Sequence, residues 1–184
     1  MKKQYRQAIK HKNLSCSFVA AAQEIRNEFD AAGGAKQIVV FAVDGSFCNR
    51  TCFADIPDRS ILLARARKDA KLCFRAPAGS RRFYARAKFT PERVRKDEAI
   101  AWKTTRIFYG GKRRKIRYKE IADVNWQRGA GQRPLRLIVI APTPYRKNLS
   151  SKLYYCNPAY LLASDLHSST KHCCRSISTV GRSR

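Results

Sequence analysis

The chain has 184 residues, with 39 lysines and arginines against 13 aspartates and glutamates, for a formal net charge of +26. A hydrophobic fraction of 44% excludes wholesale disorder, and the length suits one domain of ordinary size. No apolar run approaches the ~18–20 residues of a bilayer span and no signal peptide opens the sequence, so a membrane partner is not expected. The excess of bases makes a polyanion, most commonly nucleic acid, the expected partner. Seven cysteines without an even, regular framework of spacings are expected as reduced thiols of a cytoplasmic protein.

Along the chain, residues 1–12 are basic and start no apolar pattern. Asn13 is a helix cap, followed by Leu14, Phe18, Ala21, Ala22, Ile25 and Phe29 at helical spacing, and Gly33-Gly34 stops that helix. Residues 37–43, Gln-Ile-Val-Val-Phe-Ala-Val, read as a strand buried on both faces at the centre of a mixed or parallel sheet, ending at Asp44-Gly45-Ser46. A second strand is expected over 60–68. Pro91 and Glu92 start a helix expected to run to about Trp102. Residues 107–109 and 116–124 flank Gly110-Gly111 as a hairpin, and 135–141 and 159–163 read as further strands. Strands outnumber helices, and the two helical segments make an α/β or α+β domain around a mixed sheet the expected architecture.

Asp44 and Asp165 each follow an apolar strand directly and precede loop-forming residues. A strand end holds a carboxylate rigidly at a cleft, and two such carboxylates on neighbouring strands can share divalent metal. The competing role for each is that of a turn or cap residue.

Val43-Asp44-Gly45-Ser46-Phe47-Cys48-Asn49-Arg50 resembles the first catalytic-Asp motif of bacterial insertion-sequence transposases of the DDE superfamily. The stretches 65–72 (Arg-Ala-Arg-Lys-Asp-Ala-Lys-Leu) and 134–142 (Pro-Leu-Arg-Leu-Ile-Val-Ile-Ala-Pro) resemble the same family in the same order. So does 158–165 (Pro-Ala-Tyr-Leu-Leu-Ala-Ser-Asp), which is similar to the strand bearing the second catalytic Asp. The resemblance implies an RNase H-like mixed sheet with flanking helices, incomplete at its C-terminus, in which the two Asp-bearing strands lie side by side. It implies Asp44 and Asp165 as catalytic Mg²⁺ or Mn²⁺ ligands, and DNA cleavage and strand transfer at transposon ends. It further implies transposon-end and target DNA and other transposase subunits as partners, in a bacterial, nucleoid-associated setting. The organisation it suggests is a basic segment and helix over 1–36, a partial catalytic domain over 37–166 and an irregular tail over 167–184.

The family places a third acid on a later helix, in the pattern Tyr-x2-Arg-x3-Glu. No Asp or Glu follows Asp165 here, and Glu120 and Asp123 precede the second motif. One permitted back-translation of 172–184, read in a shifted frame, gives Leu-Leu-Gln-Ile-Tyr-Phe-Asp-Arg-Arg-Gln-Ile-Glu, which contains the pattern. A frameshifted tail is therefore expected, and with it a chain that is inactive alone.

Arg81, Arg82, Arg86 and Lys88 form one basic cluster, and Lys112, Arg113, Arg114, Lys115, Arg117 and Lys119 another, with Phe83, Tyr84, Phe89, Tyr109 and Tyr118 interleaved. Bases make phosphate contacts and aromatics can stack on splayed bases, although these aromatics also suit a core. By strand alternation Arg117 and Lys119 are expected to meet DNA while Ile116 and Tyr118 face inward. Arg50, just beyond Asp44, is a further candidate phosphate contact. The alternative function is a non-enzymatic basic nucleic-acid-binding protein. Cys48-x3-Cys52, His167-x4-His172 and Cys173-Cys174 do not match the usual zinc spacings, and Ser46 has no matching histidine for a nucleophilic mechanism.

Overall fold

A computed structural model of the chain describes residues 13–109, 112–146, 148, 151–166 and 173. The Asn13 side chain accepts a hydrogen bond from the Ser15 amide at 3.0 Å and opens α1 (Leu14–Phe29), satisfying one of the donors a helix start leaves over. The helix runs into a wider turn over Asp30–Gly34, broken at Gly33, whose φ of 84° favours glycine. The apolar stripe is rotated from its expected position: Leu14, Ile25 and Phe29 are exposed, while Ser15, Ala22 and Arg26 are buried. Arg26 takes the inner position because its guanidinium ties down that turn. It donates to Asp30 at 2.5 Å, to the Gln37 carbonyl at 2.8 Å and to the Gly34 carbonyl at 2.9 Å.

The described residues form an α/β fold with few helices and one mixed sheet of eight strands. These are β1 (Val39–Val43), β2 (Ser60–Arg65), β3 (Leu72–Arg75), β4 (Tyr84–Phe89), β5 (Lys103–Tyr109), β6 (Lys112–Asn125), β7 (Pro134–Ile140) and β10 (Ala159–Ala163). Two short strands, β8 (Pro144–Tyr145) and β9 (Tyr154–Tyr155), pair with each other. In the large sheet the order is β1-β2-β10-β7-β6-β3-β4, with β5 added to β6, and β1 with β2 is its one parallel pair.

Successive strand residues point to opposite faces, and each face has its own core. On one side Ala22 of α1, Phe53 of α2 (Arg50–Asp55), Val94 of α3 (Pro91–Lys96) and Ala130 of α4 (Gln127–Ala130) pack with Leu62, Leu135, Leu137, Val139 and Leu162. On the other, Leu63, Ile138 and Leu161 are covered by Ile107 and Ile116 of the β5–β6 hairpin. Helices therefore cover one face and a β-ribbon the other.

Two expectations change here. Of the run 37–43 only Val39–Val43 forms a strand, and it lies at the edge of the sheet, not its centre: Phe41 and Val43 pack on the helical core, but Val40 is 43% exposed and Ile38, just before the strand, is 62% exposed. The central place goes to β2, whose Ile61, Leu62, Leu63 and Ala64 are all buried. A continuous apolar run does not by itself tell an edge strand from a central one, because position in the sheet is set by non-local pairing. The helix from Pro91 stops at Lys96, well short of Trp102, because another strand's side chain takes up its last carbonyls. No helix among the described residues is long and apolar enough to cross a membrane.

Candidate nucleic-acid interface

Asp44 and Asp165 stand at the ends of β1 and β10, as the sequence places them, but β2 lies between those strands and β10 runs antiparallel to β2. The expected side-by-side arrangement is thereby corrected. Val43 is level with Ala64, so Asp44 leaves the sheet beside Arg65. Ser164 brackets Leu62, its amide donating to the Leu62 carbonyl at 3.0 Å and its Oγ accepting from the Leu62 amide at 2.9 Å, so Asp165 stands beside Ile61. Four residues at about 3.3 Å each and two strand spacings of about 4.8 Å separate the two carboxylate-bearing backbones by about 16 Å. Metals of a two-metal site lie about 3.5–4 Å apart, so this arrangement does not fit a Mg²⁺ or Mn²⁺ pair held jointly by Asp44 and Asp165.

Each carboxylate instead has a local role. The Asp44 side chain accepts from the Ser46 amide at 2.8 Å and caps a single 3-10 turn over Gly45–Phe47. Asp165 lies 4.0 Å from Nη2 of Arg136, whose Nη1 lies 3.4 Å from Glu120. Arg136 is 2% exposed and also donates to Sγ of Cys173 at 3.2 Å. Among the described residues no three metal-ligating side chains come together. Cys48 and Cys52 sit by α2 as free thiols, and burial, with Cys52 adding to it, pushes the Cys48 thiol up to about 12. The histidine pair at 167 and 172 and Cys174 lie outside the described residues.

The basic candidates divide by position. Arg50 is exposed at the start of α2, behind the Asn49 cap. Arg81 and Arg82 are exposed in the loop before β4, and Arg86 and Lys88 are exposed on β4 itself, the strand farthest from β1. On the hairpin Arg113, Lys115 and Arg117 are exposed, and Arg114 is half-buried on the inner side opposite Ile107. The side chain of Lys112 lies outside what is described. Ile116 is buried and Tyr118 packs on the core, as alternation requires. The chain matches no known protein family, no curated protein and no solved structure.

Lys119 does not meet solvent as expected. It is 2% exposed, and its Nζ donates to the carbonyls of Val94, Arg95 and Asp97 at 3.2, 3.1 and 2.5 Å. An ammonium at a helix C-terminus meets both the orphan carbonyls and the negative end of the dipole, which is why α3 stops where it does. Its buried position follows from where α3 packs, a tertiary fact that strand alternation alone cannot supply.

Several contributors were not singled out from the sequence. Trp102 lies under the Arg117 guanidinium (5.4 Å to the ring centroid) and the Lys119 ammonium (4.7 Å), and with Arg95, Lys96 and Tyr155 it lines a cleft of about 700 Å³. Arg106 is exposed on β5, directly opposite Lys115. Period-two alternation outward from Lys115 marks Arg106 once the hairpin register is known; nothing local marks Trp102.

Proposed function

We propose that this chain derives from the catalytic domain of a DDE-type transposase, RNase H-like in lineage, and that in this form it binds DNA without cutting or joining it. Support for the lineage is the order of the four quoted motifs, from the Asp44 segment to the Asp165 segment. The observation that carries the DNA-binding reading is a set of exposed bases without counter-charge: none of Arg50, Arg81, Arg82, Arg86, Lys88, Arg113 and Lys115 is in an ion pair among the described residues. Phosphates neutralise such a surface and release counterions on binding. Support for the lack of cleavage is the separation of Asp44 from Asp165, whose strands lie on either side of β2. The metal chemistry of the family is accordingly not routed through these residues.

The test is titration of a random-sequence duplex by fluorescence anisotropy at several salt concentrations, with a parallel incubation in Mg²⁺ or Mn²⁺ resolved on a denaturing gel. Binding with a Kd of about 10⁻⁶–10⁻⁴ M at physiological salt, weakening steeply as salt rises, is expected together with intact strands. A chain that leaves the duplex free at 50 mM salt would refute the binding, and cut or joined strands would refute the inactivity.

A further inference from the structure

The β5–β6 hairpin is two-faced. Its register pairs Thr104 with Arg117, Arg106 with Lys115 and Phe108 with Arg113, and these six residues share one side of the ribbon. The intervening side carries Ile107 and Ile116, both buried against Leu63, Ile138 and Leu161 of the main sheet. All six outer residues are exposed, and Phe108 is 57% so. The ribbon is thus anchored by its inner face and presents four cations, a threonine and a phenylalanine to solvent.

That outer face is electrostatically unfavourable on its own. Arg106 and Lys115 stand directly opposite each other, and like charges across an antiparallel pair destabilise it. No ion pair among the described residues relieves Arg106, Arg113 or Lys115. Phosphate contact alone would answer the charge but gives no reason for a large exposed aromatic among the cations. Base edges do, since apolar side chains contact the thymine methyl while arginine forks match guanine O6 and N7.

We propose that the outer face of this ribbon, Thr104, Arg106, Phe108, Arg113, Lys115 and Arg117, docks in the major groove of B-form DNA. The groove is about 12 Å wide and admits a two-stranded ribbon, with the side-chain rows directed at the base edges. The major groove of an A-form RNA duplex is too narrow and deep for side chains to read, so the partner is duplex DNA. This inference rests on the DNA-binding reading above and adds which surface and which groove.

The experiment compares the unaltered chain with three variants: Arg106→Ser/Arg113→Ser/Lys115→Ser on the ribbon, Arg81→Ser/Arg82→Ser/Arg86→Ser near the far edge, and Phe108→Ser. Each is titrated against a 20-base-pair random-sequence DNA duplex and the matching RNA duplex, and guanine N7 methylation by dimethyl sulfate reports major-groove cover. The ribbon triple variant is expected to lose about tenfold or more in affinity, to lower the salt slope by about 3, and to lose N7 protection. The far-edge variant, with the same charge removed, keeps N7 protection. Phe108→Ser binds severalfold more weakly with an unchanged salt slope and decides the matter if the triple variant fails to fold. Equal binding to RNA, N7 atoms left open by the unaltered chain, or ribbon and Phe108 variants that bind and protect like it would overturn the inference while leaving DNA binding intact. A chain that binds no duplex at all overturns both.

Discussion

Glu92 accepts two hydrogen bonds from Arg95, at 2.8 and 2.6 Å, and one from the Tyr160 hydroxyl, joining the start of α3 to β10. The Arg95 contacts hold its carboxyl down at about 2 against the usual 4.5, with burial opposing and Tyr160 assisting. Burial first, and then the Glu92 carboxylate, pushes the Tyr160 phenol up to about 12. Because the folded state holds Glu92 ionised at lower pH than the unfolded chain does, its contribution is complete above pH 4.5 and fades as pH falls toward 2. Replacing it as Glu92→Gln should cost about 1–2 kcal/mol near pH 6, given that the side chain is partly solvated. Urea denaturation of both proteins from pH 6 to pH 3 should show that difference shrinking; a difference constant with pH would mean that the charge is irrelevant to the contact.

At the level of elements, Lys119 illustrates what a strand pattern carries and what it does not. Alternation along 116–119 correctly sends Ile116 and Tyr118 inward, yet it also sends Lys119 outward, where α3 in fact receives it. The helix start at Asn13, the strands β7 and β10 and the pairing of β5 with β6 were legible because caps, apolar runs and turn residues are local signals. Strand order was not legible: the place of β2 between β1 and β10 depends on pairings of residues about 100 positions apart, and it decides whether Asp44 and Asp165 meet. Of the candidate interface, the exposed cations of β4 and β6 were readable, but Arg106 and Phe108 needed the register of β5. Two substitutions separate the roles. Lys119→Met should destabilise the fold by about 1–3 kcal/mol, by leaving buried carbonyls unmet, with the salt slope of DNA binding unchanged. Lys115→Met should leave stability within about 0.5 kcal/mol and lower that slope by about 1. Denaturant midpoints and salt titrations of the two proteins check this, and a Lys119 variant of normal stability with a reduced slope would return Lys119 to the DNA-facing set.

For the molecule as a whole, a net charge of +26 sets two salt dependences of opposite sign. Self-repulsion among unpaired bases destabilises the compact state, and 13 acids cannot offset 39 bases, the more so because Asp30, Asp69, Glu92, Glu120 and Asp165 already sit beside arginines. Added salt screens that repulsion over a Debye length of about 10 Å at 0.1 M, so Tm of the free chain should rise between 20 and 300 mM NaCl. Duplex DNA does the same work specifically: at about 100 times Kd, binding to the folded state alone adds about 2.7 kcal/mol, or about 5–10 °C for a chain of this size. That increment must fall as salt rises, because the counterion release that drives binding is lost. Scanning calorimetry with and without duplex across the salt series should therefore give two curves that converge at high salt. A free-chain Tm that drops on adding salt would mean that the ion pairs, rather than the unpaired bases, dominate the electrostatics of the fold, and would remove the reason for expecting a polyanion at its surface.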